Sequence, residues 1–216
     1  MAVAMGICAQ ASGSRSRRGN REAILVAGRT LFARHGPAGV TFDDVARETG
    51  LTRRTIYNHF ANVDDLFVAS IQAVLRQLHG RLPAAPPIEM STVPALDRFV
   101  RELLRLFTNP TFVDAKLVLT RHGSAHPALH RAFEQRILAP LYASFAGYLR
   151  TRAGRRPSEN PLETAQHVVT VVLGLAETAR LLGHVGEDGV HHALPLARLA
   201  ADALVHGPQT RFDRAA

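Results

Sequence analysis

Between Thr52 and Phe60 the chain reads T-R-R-T-I-Y-N-H-F, which crowds Arg53, Arg54, Thr55, Tyr57, Asn58 and His59 into one short run of hydrogen-bonding side chains. Their chemistry is recognition. A guanidinium fits guanine O6 and N7 with two hydrogen bonds, worth roughly 1–3 kcal/mol of base discrimination, so a guanine favoured by Arg53 or Arg54 is expected. Thr, Tyr and Asn donate to phosphate oxygens. No phosphate-binding glycine loop, nucleophile elbow or zinc-protease motif occurs, and no enzyme is expected. His122, His126 and His130 are spaced four apart, but Gly123 and Pro127 break a helix between them and no carboxylate joins at ligand spacing. No metal site and no cofactor follow from that pattern.

The elements that must hold this run are two short helices in Thr41–Phe60. Thr41 suits an N-cap, and Asp43 and Asp44 suit the positive end of the helix it opens. Gly50 ends that helix by entering the left-handed region. Thr52 then caps a second helix predicted over 52–60. Val45, Ala46, Leu51, Ile56 and Phe60 are spaced to face a core, which leaves the polar run outside. A helix-turn-helix whose second helix is rich in donors fits the DNA major groove.

The charge agrees. The chain of 216 residues carries a net charge of +8, and residues 1–60 hold nine arginines against four carboxylates. Such an excess beside the helix-turn-helix favours an anionic partner. Lys116 is the only lysine; a high-GC genome would enrich arginine throughout, so that bias alone carries little. Cys8, the only cysteine, cannot staple a domain. No apolar run approaches the roughly 18 residues of a bilayer span, and a cytoplasmic protein is expected.

Residues 1–19, starting at Met1 or Met5, lack a hydrophobic period and are expected to form a disordered basic arm, either a mobile terminus or a DNA contact. From Asn20 to His35 apolar residues recur at helical spacing until Gly36-Pro37-Ala38-Gly39. A fourth helix is predicted over roughly 63–82, followed by a Pro83–Pro87 boundary. Further helices are predicted after Pro94, Pro110 and Pro127, with a kink at Pro140 inside the last. No period-two strand appears, so the fold class is all-α. The helix at about 162–183 is apolar on most of its circumference, and another follows at 190–206. Such a helix is buried on both sides, either in a two-fold homodimer or at the centre of a monomer.

The first helix with L-F-A-R-H-G, then G-V-T-F-D-D-V-A-R-E-T-G-L-T-R-R-T-I-Y-N-H-F, then D-D-L-F, resembles the TetR family of bacterial transcriptional regulators over about residues 20–70. F-T-N-P-T-F followed by H-P-A-L-H-R-A-F looks like the AefR-type C-terminal domain within that family. The resemblance implies about nine helices: a three-helix DNA-binding head (20–66), a larger dimerising and ligand-binding body (67–208) and a tail (209–216). It implies DNA contacts from Thr41, Thr52, Arg53, Arg54, Thr55, Tyr57, Asn58 and His59. Val63 stands where many members have a phosphate-binding lysine, so the resemblance does not carry that contact over. The implied function is a repressor of a palindromic double-stranded operator, released by a small apolar or amphipathic molecule. Candidate pocket residues are Phe107, Phe112, Phe133, Tyr142, Phe145, Gln166, Thr170 and Glu177. The competing reading is an architectural DNA-binding protein without an effector.

Overall fold

The computed structural model describes residues 3–87, 89–151 and 160–206, and every regular element among them is helical. The α-helices are α1 (Val3–His35), α2 (Phe42–Thr49), α3 (Arg53–Tyr57), α4 (Val63–His79), α5 (Thr92–Phe107), α6 (Pro110–His122), α7 (Pro127–Phe133), α8 (Ala139–Thr151), α9 (Pro161–Leu181) and α10 (Gly186–His206). One π turn, Glu134–Leu138, joins α7 to α8 without a break; counted as one helix, they make nine among the described residues. The all-α expectation holds.

Two expectations are corrected. Val3–Gly19 is helical rather than an irregular arm. No proline interrupts it, and a helix already nucleated over the buried Ile24–Phe32 stretch propagates cheaply into alanine-containing sequence. The second helix of the helix-turn-helix stops at Tyr57 rather than running to Phe60. The chain turns through Asn58 and His59, so that Phe60 is buried and α4 restarts at Val63. Residues 1–2 and the tail 209–216 lie outside the described residues.

The chain divides into two compact units, Met1–Leu75 with Ala115–Arg131, and Arg76–Asp114 with Ala132–Ala216. The first unit thus reaches beyond the boundary expected at residue 66 and takes in a second segment. Its core is Ile24, Leu25, Leu31 and Phe32 of α1, Phe42 and Val45 of α2, Ile56 of α3, and Leu66, Phe67 and Ile71 of α4, all buried. Ala46 and Leu51, expected beside them, are only half-buried. Phe32 meets Phe67 edge-on at 5.2 Å between ring centres. Gly28 permits this closeness: a Cβ there would lie 3.0 Å from Ser70 Oγ and 3.3 Å from Leu66 and Phe32.

In the second unit α5 presents Leu96, Phe99, Val100, Leu103, Leu104 and Phe107 on one buried face. Phe99 stacks on Phe145 of α8 at 4.4 Å. Asn160 caps α9 by accepting from the amides of Leu162 and Glu163 at 3.2 and 3.3 Å. Arg105 joins α5 to α10 through Glu187 at 3.1 Å, and Arg198 pairs with Asp97. The irregularity expected at Pro140 takes the form of the π turn just before it. A proline clashes with the carbonyl four residues earlier. Here that carbonyl belongs to Arg136, and His79 Nδ1 donates to it at 2.8 Å.

Ser70 is 1 % exposed, and its hydroxyl has no hydrogen-bond partner among the described residues. A buried hydroxyl without a partner costs about 1–3 kcal/mol. Ser70→Ala is therefore expected to stabilise the fold by about 1 kcal/mol, read as a melting temperature a few degrees higher. Gly28→Ala should destabilise the parent chain but be better tolerated beside Ser70→Ala, because the closest contact is then gone.

Candidate nucleic-acid interface

The helix-turn-helix is built from caps at both helix starts and a glycine between. Thr41 closes a capping box on α2: its amide donates to Asp44 Oδ2 at 2.9 Å, and its hydroxyl accepts from the Asp44 amide at 3.3 Å. The same hydroxyl donates to Asp44 Oδ2 at 2.6 Å. These bonds to the ionised carboxylate hold the Asp44 carboxyl below the usual range, with the Thr41 hydroxyl the largest cause. Gly50 sits at φ 70° and returns its amide to Ala46. Thr52 caps α3, accepting from the Thr55 amide at 3.2 Å, and the two hydroxyls lie 2.9 Å apart.

With only five residues, α3 has one side in the core and the rest in solvent. Ile56 is fully buried, while Thr52, Arg53, Arg54, Tyr57 and Asn58 are exposed and Thr55 and His59 half-buried. Seven of the eight expected contact residues therefore share one short surface segment. Thr41 lies on the preceding helix start, and its hydroxyl is already committed to capping. Tyr57 is 59 % exposed, but its ring rests edge-on against Phe42 at 4.9 Å, which braces the phenol. Val63, in place of a basic residue, is half-buried at the start of α4.

The structure adds interactions that residue spacing did not give. Asp43 of α2 grips the guanidinium of Arg53 with both carboxylate oxygens. Arg47 pairs with Asp44 at 3.1 Å. From α1, Arg21 lies over the Phe60 ring at 5.2 Å. Arg17 and Arg21 also act on His59, whose pKa is lowered first by desolvation and then by these two positive charges. Their spacing of four along one helix could have shown that they share a face. The pairing of Asp43 with Arg53 spans two helices, and no helical period reveals it.

The eight candidate pocket residues all lie in the second unit. Phe107, Phe112 and Phe133 form a chain of rings 5.0 and 5.9 Å apart. Phe145 belongs to the stack with Phe99 and Tyr148. Tyr142 bonds to Thr170, and Glu177 pairs with Arg180 at 3.0 Å. Gln166 and Thr170 are exposed. A cleft of about 210 Å³ in this same unit is lined by Arg81, Leu82, Pro83, Arg98, Phe99 and Glu102 among others.

Desolvation and neighbouring charge keep His59 neutral down to a lower pH than a free imidazole. Bound phosphates would raise its pKa again, so complex formation takes up a proton. Affinity for DNA should therefore rise as pH falls from about 7.5 towards 6, and His59→Gln should flatten that dependence, as titrations at matched ionic strength would read.

Residues 24–70 match the family model described as bacterial regulatory proteins, tetR family. Over 180 residues the chain is 28 % identical to the HTH-type transcriptional repressor BepR of Brucella suis biovar 1, covering 80 % of this chain and 85 % of that one. A crystal structure from Mesorhizobium loti, assigned to the TetR family, superposes with a TM-score of 0.70 at 16 % identity, covering 87 % of this chain and 96 % of the other. The flavonoid-responsive regulator FrrA superposes with a TM-score of 0.66 at 23 % identity, over 89 % and 98 %. At these identities the structures speak to the fold alone, whereas the matched head covers the helix-turn-helix built above. By that head, residues 24–70, the chain is similar to the TetR family of bacterial regulatory proteins.

Proposed function

We propose that the protein is a repressor that binds a palindromic operator as a homodimer and is released by a small molecule. The observation that carries the DNA-reading part is the exposed segment Thr52–His59, held out from the core by Ile56. Dimerisation is supported by apolar side chains that the single chain leaves in solvent: Leu181 at 76 %, Leu199 at 69 % and Leu196 at 59 % exposed, on α9 and α10. Gly174 of α9 has nothing within 4 Å of its Cβ position, which leaves room for a partner helix. Release by an apolar or amphipathic effector is supported by the aromatic content of the second unit, and by the similar fold of a regulator named for its response to flavonoids. The repressing sense follows the name of BepR. No helix among the described residues is long and apolar enough to cross a membrane, which suits a cytoplasmic regulator.

Selection of bound duplexes from a random pool is expected to return a palindrome with a guanine in each half-site. Arg53→Ala or Arg54→Ala should weaken binding to it by about 1–3 kcal/mol per lost bidentate contact. If neither substitution changes affinity or preference, the recognition segment is misassigned. Salt-dependent binding without a preferred sequence would instead favour an architectural role. Leu196→Glu with Leu199→Glu is expected to give a monomer in sedimentation and to lose binding to the full palindrome.

A further inference from the structure

Arg53 and Arg54 are neighbours on α3, yet their surroundings differ. Asp43 Oδ1 pairs with Arg53 Nε, and Oδ2 with Nη2. The carboxylate thus lies along the side edge of the guanidinium and fixes its plane through two parallel bonds. A guanidinium has five N–H donors in a rigid fork. Side-on pairing consumes the Nε donor and one donor of Nη2. Both Nη1 donors and the second Nη2 donor remain; that Nη2 donor and the Nη1 donor beside it form the end-on edge, which can span O6 and N7 of a guanine. Arg54, one residue further, is turned by roughly 100° around the helix. It is exposed and has no ion-pair partner among the described residues.

We propose that Asp43 is a positioning residue that presents Arg53 as the guanine reader of α3 and leaves Arg54 to the phosphate backbone. The proposal rests on the DNA-reading assignment made above. Asp43 is 45 % and Arg53 66 % exposed at the side chain, and an ion pair that open adds little to stability. A structural role therefore explains the pair poorly. Asp44 next door is consumed by Thr41 and Arg47, so the capping box does not need Asp43. A free carboxylate beside a DNA-binding helix would repel phosphate, and pairing with Arg53 neutralises it. An arginine ordered before DNA arrives also loses less freedom on binding, so more of each contact remains as discrimination between bases.

The test uses the full chain and the duplex selected by the parent protein, varied one base pair at a time. Parent and Asp43→Asn are compared by titration and by thermal melting. At the one symmetric position where Arg53→Ala loses its preference, Asp43→Asn is expected to reduce the preference for guanine about tenfold. Binding to unselected DNA should hold or rise, because a negative charge is gone. In the Arg53→Ala background, Asp43→Asn should change nothing further at that position. A preference that survives Asp43→Asn intact overturns the proposal. So does tighter binding to the selected duplex with preference unchanged, which would make Asp43 a lock rather than a support. A further loss in the double variant also overturns it, because Asp43 would then act through the fold, and this comparison holds even if Asp43→Asn lowers the melting temperature. A parent protein that selects no motif removes the DNA-reading assignment itself, whereas a guanine insensitive to Asp43 removes only this proposal.

Discussion

The burial of Ile56 is the constraint on which the proposed DNA-reading surface depends. A helix of five residues has barely more than one turn, and in water such a segment does not persist unaided. It persists here because Ile56 has no exposed surface, Phe60 follows it into the core, and Thr52 satisfies the first turn. Every polar side chain on the segment owes its direction to that one inward aliphatic. The bracing of Tyr57 against Phe42 works the same way: an apolar contact sets where a polar tip points.

Much of this was legible from residue types. Thr41, Gly50 and Thr52 announced their positions because capping and left-handed geometry admit few residues, and the structure uses all three as expected. The length of α3 was not legible. Asn58 and His59 carry no helix-breaking signature, and the turn there is imposed by the need to bury Phe60 and start α4. The helical state of Val3–Gly19 was missed for the opposite reason: an absent hydrophobic period argues against a buried face but does not forbid a helix. Aromatic side chains at helical spacing mark a core, and which rings meet within it is set by packing that spacing alone does not encode.

Charge in the first unit is arranged in pairs and gradients rather than as a uniform basic face. Asp44 answers Thr41 and Arg47, and Asp43 answers Arg53, while Arg17 and Arg21 act together on one imidazole. Net charge alone would draw any nucleic acid. Local pairing decides which of the arginines is held in place and which can adjust; under the proposal made above, selectivity and affinity then fall to different side chains.

The π turn at Glu134–Leu138 bears on the phase of the helix that contains it. Phe133, Ile137, Leu141 and Phe145 recur every four residues, whereas an α-helix turns by roughly 100° per residue. Carried through an unbroken α-helix, that repeat would drift by roughly 120° over its length and turn its last member away from the face of its first. One inserted residue takes back roughly 100° of the drift, so Ile137, Leu141 and Phe145 stay buried while Phe133 still meets Phe112. The proline and the imidazole at the Arg136 carbonyl thus mark the point where a repeat of four is reconciled with a helix of 3.6.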